Sequence, residues 1–123
     1  MYKRQILTLG GDHSISYPVL KAYQNQYPTL DILHIDAHAD LYHSYEGDPY
    51  SHACPFARIM EDGLAARLVQ VGIRTLNPHQ SEQAEKFGVE IYPMKHLDLS
   101  KIPEFKNPLY ISCLLYTSPS PRD

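Results

Sequence analysis

Asp36, His38 and Asp40 stand at alternate positions in the stretch HIDAHADL, residues 34–41. In extended backbone, side chains two apart point to the same side, so all three can converge on one point. A carboxylate, an imidazole and a second carboxylate on one face suit a borderline divalent cation such as Mn²⁺, Fe²⁺ or Zn²⁺. A polar turn at a strand end, with one histidine satisfied by a backbone carbonyl, would use the same residue types. Three such donors on one face favour the metal. The apolar run 32–35 just before them reads as a buried strand that holds the ligands rigidly. His34 is expected to pack in the sheet or to donate to a ligand from behind it.

The remaining elements must bring other donors to that strand end. Residues 6–9 read as a buried strand running into a tight turn at Gly10-Gly11, with Asp12 and His13 directly after it. Ser16 is placed to cap a helix over 17–26, with Pro18 in its first turn and Pro28 ending it. A second strand over 31–35 enters the Asp36–Asp40 motif, followed by a polar, aromatic loop over 42–50. Ser51 is a candidate cap for a helix over 52–62, with Pro55 in its first turn and Ala53, Phe56, Ala57 and Met60 on one side. Residues 68–71 form a third strand, and Gly72 starts its exit loop. Asn77-Pro78 opens a helix to 87 that Gly88 terminates, and a fourth strand follows over 89–92. Pro103 and alternating charges break any period in 94–105, and a fifth strand begins at 109–112. Strand and helix alternate, with Gly, Asp and His gathered where strands end. That pattern predicts a parallel α/β sheet with its site at the carboxyl edge.

Composition narrows the function classes. The chain has 123 residues, the size of one small domain or a piece of a larger one. Eleven Lys and Arg against fourteen Asp and Glu give −3. Without a basic block, nucleic acid and anionic membranes are not expected partners. No apolar run approaches the ~20 residues of a bilayer span, and Gly10, Gly11 and Asp12 end the amino-terminal apolar stretch too early for a signal peptide. Cys54 and Cys113 alone support neither a disulfide framework nor a Cys-rich zinc site, so a cytoplasmic setting is the default. Cys54 is expected to pack on its helix, and His43, His79 and His96 to lie on the surface. Arg74 is either structural or part of the cleft.

Gly10-Gly11-Asp12-His13-Ser14, then Asp36-Ala37-His38-Ala39-Asp40, then Ser51-His52-Ala53, together resemble the ureohydrolase family of arginases, agmatinases and related amidinohydrolases. The likeness covers nearly all of 5–112, including Val71-Gly72-Ile73-Arg74. It implies a three-layer, parallel-sheet arginase/deacetylase-like α/β fold, truncated at both ends here, and a site for two Mn²⁺. Carried over by position, His13, Asp36, His38 and Asp40 would be metal ligands, the two histidines to opposite metals and the carboxylates with bridging among their roles. Two metals ~3.5–4 Å apart lower the pKa of a shared water toward neutrality. In the family, that hydroxide attacks a guanidinium carbon and urea leaves as the amine departs. Asp40 would thus be catalytic as well as a ligand, and His52 matches the family's proton-shuttling histidine. A metal-dependent deacetylase of similar architecture is disfavoured by GGDHS and SHA. A non-catalytic homologue that keeps the fold as a binding module is the rival from another class.

Departures from the family pattern refine the expectation. Arginases tend to place Asn two residues after the last Asp of DAHxD, where this chain has Tyr42, and SHAC replaces the arginase loop. Both favour a guanidine without an amino-acid head, agmatine above guanidinobutyrate, arginine or a formimino compound. Glu46 and Asp48 in the 42–50 loop could receive a cationic amine or form a solvated rim. The family's other two carboxylate ligands lie in an Asp-x-Asp motif directly after a strand like 108–112, and that motif is not found here. The chain is therefore read as a partial ureohydrolase domain over 1–112, itself inactive, from a parent enzyme that is a homo-oligomer acting on a small guanidino substrate. Residues 113–123 are read as a non-native tail. A nucleotide string encoding CLLYTSPSPRD resembles a transposase-type sequencing adaptor, whereas an ordinary Pro/Ser-rich tail is the alternative.

Overall fold

A computed structural model describes residues 5–113. Three helices, α1 (Ser16–Tyr23), α2 (Pro55–Glu61) and α3 (Pro78–Phe87), are interleaved with four strands, β1 (Asp31–Ile35), β2 (Arg67–Ile73), β3 (Glu90–Pro93) and β4 (Leu109–Cys113). All strand pairs are parallel, and the sheet order is β3-β2-β1-β4. The chain thus builds outward from β1 to β3 in one direction and then places β4 on the other side of β1. In an open parallel sheet, a crevice forms at the carboxyl ends where the order reverses, here between β1 and β4.

Buried parallel strands read as nearly continuous apolar runs, as β2 does in RLVQVGI. Leu20 of α1, Phe56 and Ile59 of α2 and Ala84 of α3 share one core with Ile32 and Leu68. In register, His34 of β1 stands opposite Gln70 of β2 and Ser112 of β4. Three polar side chains therefore form one row across the sheet, and each is buried.

The expected helix over 77–87 is present with its punctuation. Asn77 Oδ1 accepts from the Gln80 amide at 2.8 Å, and Gly88 closes the helix at φ 64°. Other boundaries moved. Asp12 rather than Ser16 caps the turn into α1, accepting from the Ser14 amide at 3.0 Å, and α1 stops at Tyr23, five residues ahead of Pro28. Helix α2 begins at Pro55, because residues 51–54 are held in a turn by the Cys54 N–H donating to the Ser51 carbonyl at 3.0 Å. Strand β2 does not end at Gly72. It continues to Ile73 through an irregularity in its pairing with β3. Gly72 takes φ 88° there, and a Cβ would lie 3.5 Å from the Asp36 carbonyl oxygen. A side chain at this position would be strained by the positive φ and would stand in van der Waals contact with the site backbone.

The strand expected over 6–9 is not formed. A strand needs a hydrogen-bonding neighbour, and among the described residues the outer edge of β4 is free and no other strand reaches 6–9. Ile6, Leu7 and Leu9 are consequently 71%, 82% and 85% exposed, and Leu109 and Ile111 on β4 are 40% and 59% exposed. A free edge beside uncovered apolar side chains is a template for pairing between chains. The chain is therefore expected to self-associate in light scattering, and Ile111→Lys is expected to raise the monomer fraction. A monomeric unaltered chain would contradict this. Strand β4 runs through Cys113, so the break in pattern expected there is not seen at that residue. The rest of the proposed tail lies outside the described residues.

Candidate metal centre

The site grows from the end of β1. The Asp36 N–H donates to the Val71 carbonyl at 3.1 Å, which carries the pairing with β2 one residue past the strand. The backbone then bends, and His38 forms an isolated bridge with Thr75 while the Arg74 N–H donates to the Ala37 carbonyl at 2.9 Å. Asp40 sits in the left-handed region at φ 50°, which Asp tolerates better than most residues. Neighbouring helices hold this turn. The Phe56 N–H of α2 donates to the Asp40 carbonyl at 3.2 Å. Gln80 Oε1 of α3 accepts from the Leu41 N–H at 3.3 Å, and Gln83 Nε2 donates to the Leu41 carbonyl at 3.2 Å.

One nitrogen or oxygen from each of His13, His34, Asp36 and Asp40 lies within 4.8 Å of the others. His13 Nδ1 is 2.5 Å from Asp40 Oδ2 and 4.0 Å from Asp36 Oδ2, and its Nε2 is 2.8 Å from Ser112 Oγ. His34 Nε2 is 3.4 Å from Asp36 Oδ2. Phe56 covers the two imidazoles, with ring centroids 5.2 Å from His13 and 4.2 Å from His34. The donor set is half imidazole and half carboxylate. It includes a buried nitrogen, His34 Nε2, that makes no hydrogen bond. Such a set fits a borderline divalent cation: imidazole and carboxylate donors are of the right type and are already gathered.

The motif's convergence does not arise as expected. The strand ends at Ile35, so alternation no longer governs residues 36–40. Asp36 and Asp40 meet because the chain turns between them, and His38 does not join them. Its side chain is 51% exposed, with Nδ1 3.6 Å from Asp36 Oδ1. The bridge to Thr75 directs it to the rim. His52 is also apart from the cluster, exposed and edge-on to the Tyr45 ring at 5.6 Å between centroids. Gln70 and Ser112 were missed. The signal for Gln70 was available, since a lone amide in the apolar run of β2 must find a buried partner. Cys54 is buried, His43, His79 and His96 are exposed, and Arg74 is exposed.

Burial alone would raise the Asp36 carboxyl, but the His34 ring, the His38 N–H at 3.0 Å and the charge of nearby histidines outweigh it and hold it below the usual carboxylate range. Burial pushes His34 down, and the neighbouring carboxylates oppose this only in part. Both shifts act in the same direction. The unfolded chain takes up protons at His34 below its free value near ~6.5 and at Asp36 near ~3.9, where the folded metal-free chain resists them. Stability from both groups is thus full above ~6.5 and lost progressively as pH falls. Thermal melting of the metal-free chain is expected at a lower temperature at pH 5 than at pH 7.5, and His34→Gln is expected to flatten the upper part of that dependence. Equal melting temperatures would contradict it.

The description "Arginase family" matches residues 1–112, nearly the whole chain. The chain belongs to the arginase family. Within it, the chain is 59% identical over 92 residues to the mitochondrial arginase of Medicago truncatula, covering 74% of this chain and 27% of that protein. The solved structure of the Medicago arginase superposes with a TM-score of 0.68 over 70% of this chain and 28% of that one. The N(1)-aminopropylagmatine ureohydrolase of Thermus thermophilus is 40% identical over 98 residues, 80% of this chain and 33% of that protein. Proclavaminate amidino hydrolase from Streptomyces clavuligerus superposes with a TM-score of 0.71 at 30% identity, over 85% of this chain and 39% of that one. The chain spans about a quarter to two-fifths of the length of these arginase-family relatives. The α/β, parallel-sheet fold of the family is present, whereas an agmatinase branch in particular is not singled out. Among the described residues, no helix is long and apolar enough to cross a membrane.

Proposed function

We propose that these residues supply part of a two-manganese amidinohydrolase site that releases urea from a terminal guanidine. The observation that carries this reading is the meeting of His13 and Asp40, 27 residues apart, at 2.5 Å beside Asp36. Two manganese ions in such a site supply a hydroxide-like nucleophile at neutral pH. Asp36 and Asp40 provide the negative charge that holds the cations, and His13 presents an imidazole fixed from behind by Ser112. His38 is proposed as the remaining ligand of this segment, from its place 3.6 Å from Asp36 Oδ1. His52 is proposed to carry a proton to the departing amine, an exposed ring being free to exchange it with water.

Two substrates are supported by different observations. Tyr42, whose Oη accepts from Asn77 Nδ2 at 2.6 Å, occupies the place where a carboxylate-reading Asn is expected in arginases, and this favours agmatine, giving putrescine and urea. The 59% identity to a protein named arginase favours L-arginine. Urea release by the manganese-loaded full-length enzyme from agmatine and from L-arginine, compared as kcat/KM, decides between them. Urea from neither of these nor from guanidinobutyrate, or formamide from a formimino substrate, would overturn the amidinohydrolase reading. Alongside these we infer a cytoplasmic, homo-oligomeric parent, and a non-native origin for residues 113–123. The family match stops at 112, which supports the last point. Genomic sequence beyond the Ser112 codon tests it.

A further inference from the structure

We propose that His34 is a positioning residue, held by Gln70 with its proton on Nε2 and directed at Asp36, and is not itself a metal ligand. This rests on the metal reading above.

Gln70 Nε2 lies 2.6 Å from the Ala39 carbonyl oxygen and 3.1 Å from His34 Nδ1. A carbonyl only accepts, so the amide end that touches Ala39 must be the NH₂ group. Its second hydrogen faces His34, and Nδ1 must therefore be the lone-pair nitrogen. A neutral imidazole carries one N–H, which leaves it on Nε2. That nitrogen is fully buried and faces Asp36 Oδ2 at 3.4 Å, with no other partner.

Coordination through Nε2 would require its proton to move to Nδ1. Two donors would then oppose each other, Nδ1–H against the Gln70 NH₂, where no water reaches to relieve them. Turning the amide over offers no escape, because it would set Gln70 Oε1 against the Ala39 carbonyl. Ala39 lies between His38 and Asp40, so the loop that carries the ligands also locks the tautomer behind them. The chain Ala39–Gln70–His34–Asp36 thus orients the Asp36 carboxylate from the sheet side and leaves its other oxygen, which accepts the His38 N–H at 3.0 Å, toward the rim. Outer hydrogen bonds of this kind commonly set ligand orientation.

The test uses the full-length enzyme labelled with [¹⁵N]histidine and free of metal. The signals of His34 in long-range ¹H–¹⁵N spectra are assigned by their loss in His34→Gln. The expected pattern is an unprotonated Nδ1 and a protonated Nε2, with the preference reduced in Gln70→Met. In Mn²⁺ titrations read by the resonance of the free ion, His34→Leu is expected to weaken binding by about 10–100-fold. His34→Gln, whose amide nitrogen reaches the Nε2 position, should recover most of that loss. A protonated Nδ1, a Nε2 that loses its proton when diamagnetic Zn²⁺ is added, or unchanged Mn²⁺ affinity in His34→Leu would overturn the positioning role alone. Absence of Mn²⁺ binding by the unaltered full-length enzyme would overturn the metal reading and this role with it.

Discussion

Asp40→Asn is expected to weaken Mn²⁺ binding by at least about three orders of magnitude, and to abolish urea release by the full-length enzyme. A unit charge about 4 Å from a cation, at an effective dielectric near 20, is worth about 4 kcal/mol per charge, and each ~1.4 kcal/mol is a decade in affinity. The amide keeps the shape of the side chain and still accepts from His13 Nδ1, the bond now made at 2.5 Å. Fold stability in the absence of metal should therefore change by only about 1 kcal/mol, the usual net worth of one hydrogen bond. Calorimetry of the metal-free variant, beside a Mn²⁺ titration, separates the two effects. Binding within threefold of the unaltered chain would remove Asp40 from the ligand set. His52→Asn makes the contrast: its ring stands outside the cluster, so binding should persist while turnover falls.

Phe56→Ala is expected to cost about 3–5 kcal/mol of stability, as for other fully buried aromatic rings. That is a large part of the ~5–15 kcal/mol that holds a typical domain together. Phe56 also joins the core to the candidate metal centre. Its ring packs on His13 and His34, and its backbone N–H holds the Asp40 carbonyl. Loss of the ring should free both imidazoles and weaken Mn²⁺ binding by the molecules that remain folded. Phe56→Leu, with a smaller cavity, keeps the test possible if the alanine variant does not fold. Reduced melting temperature with unchanged Mn²⁺ affinity would show that core and site are independent.

Much of the architecture could be read from local chemistry. Asn77, Pro78 and Gly88 mark the ends of α3 because capping and left-handed termination depend on a few residues at fixed places. Strand β1 was legible for a related reason, since Ile32, Leu33 and Ile35 form a short apolar run that stops at the Asp36 carboxylate. The 6–9 run failed despite an equally apolar pattern. Hydrophobicity makes a strand possible, but only a neighbour's amides and carbonyls complete it. The start of α2 was misplaced because Ser51 also serves as a turn residue, accepting the Cys54 N–H through its carbonyl and the Ala53 N–H through Oγ. Both uses satisfy the same polar groups, and the choice depends on Pro55.

The sequence by itself determined the kind of chemistry: carboxylates and imidazoles at the carboxyl ends of parallel strands, with motifs that place the chain in its family. It named His13, Asp36 and Asp40, which do come together. Tertiary structure decided how they meet. Asp36 and Asp40 converge through a turn braced by α2 and α3, His13 is secured by Ser112 of the neighbouring strand β4, and His38 is turned to the rim. It also brought Gln70 beside His34, 36 residues away in the chain. Periodicity fixes which face of its own element a residue occupies, whereas register between strands and the packing of helices over them are set by contacts distant in sequence.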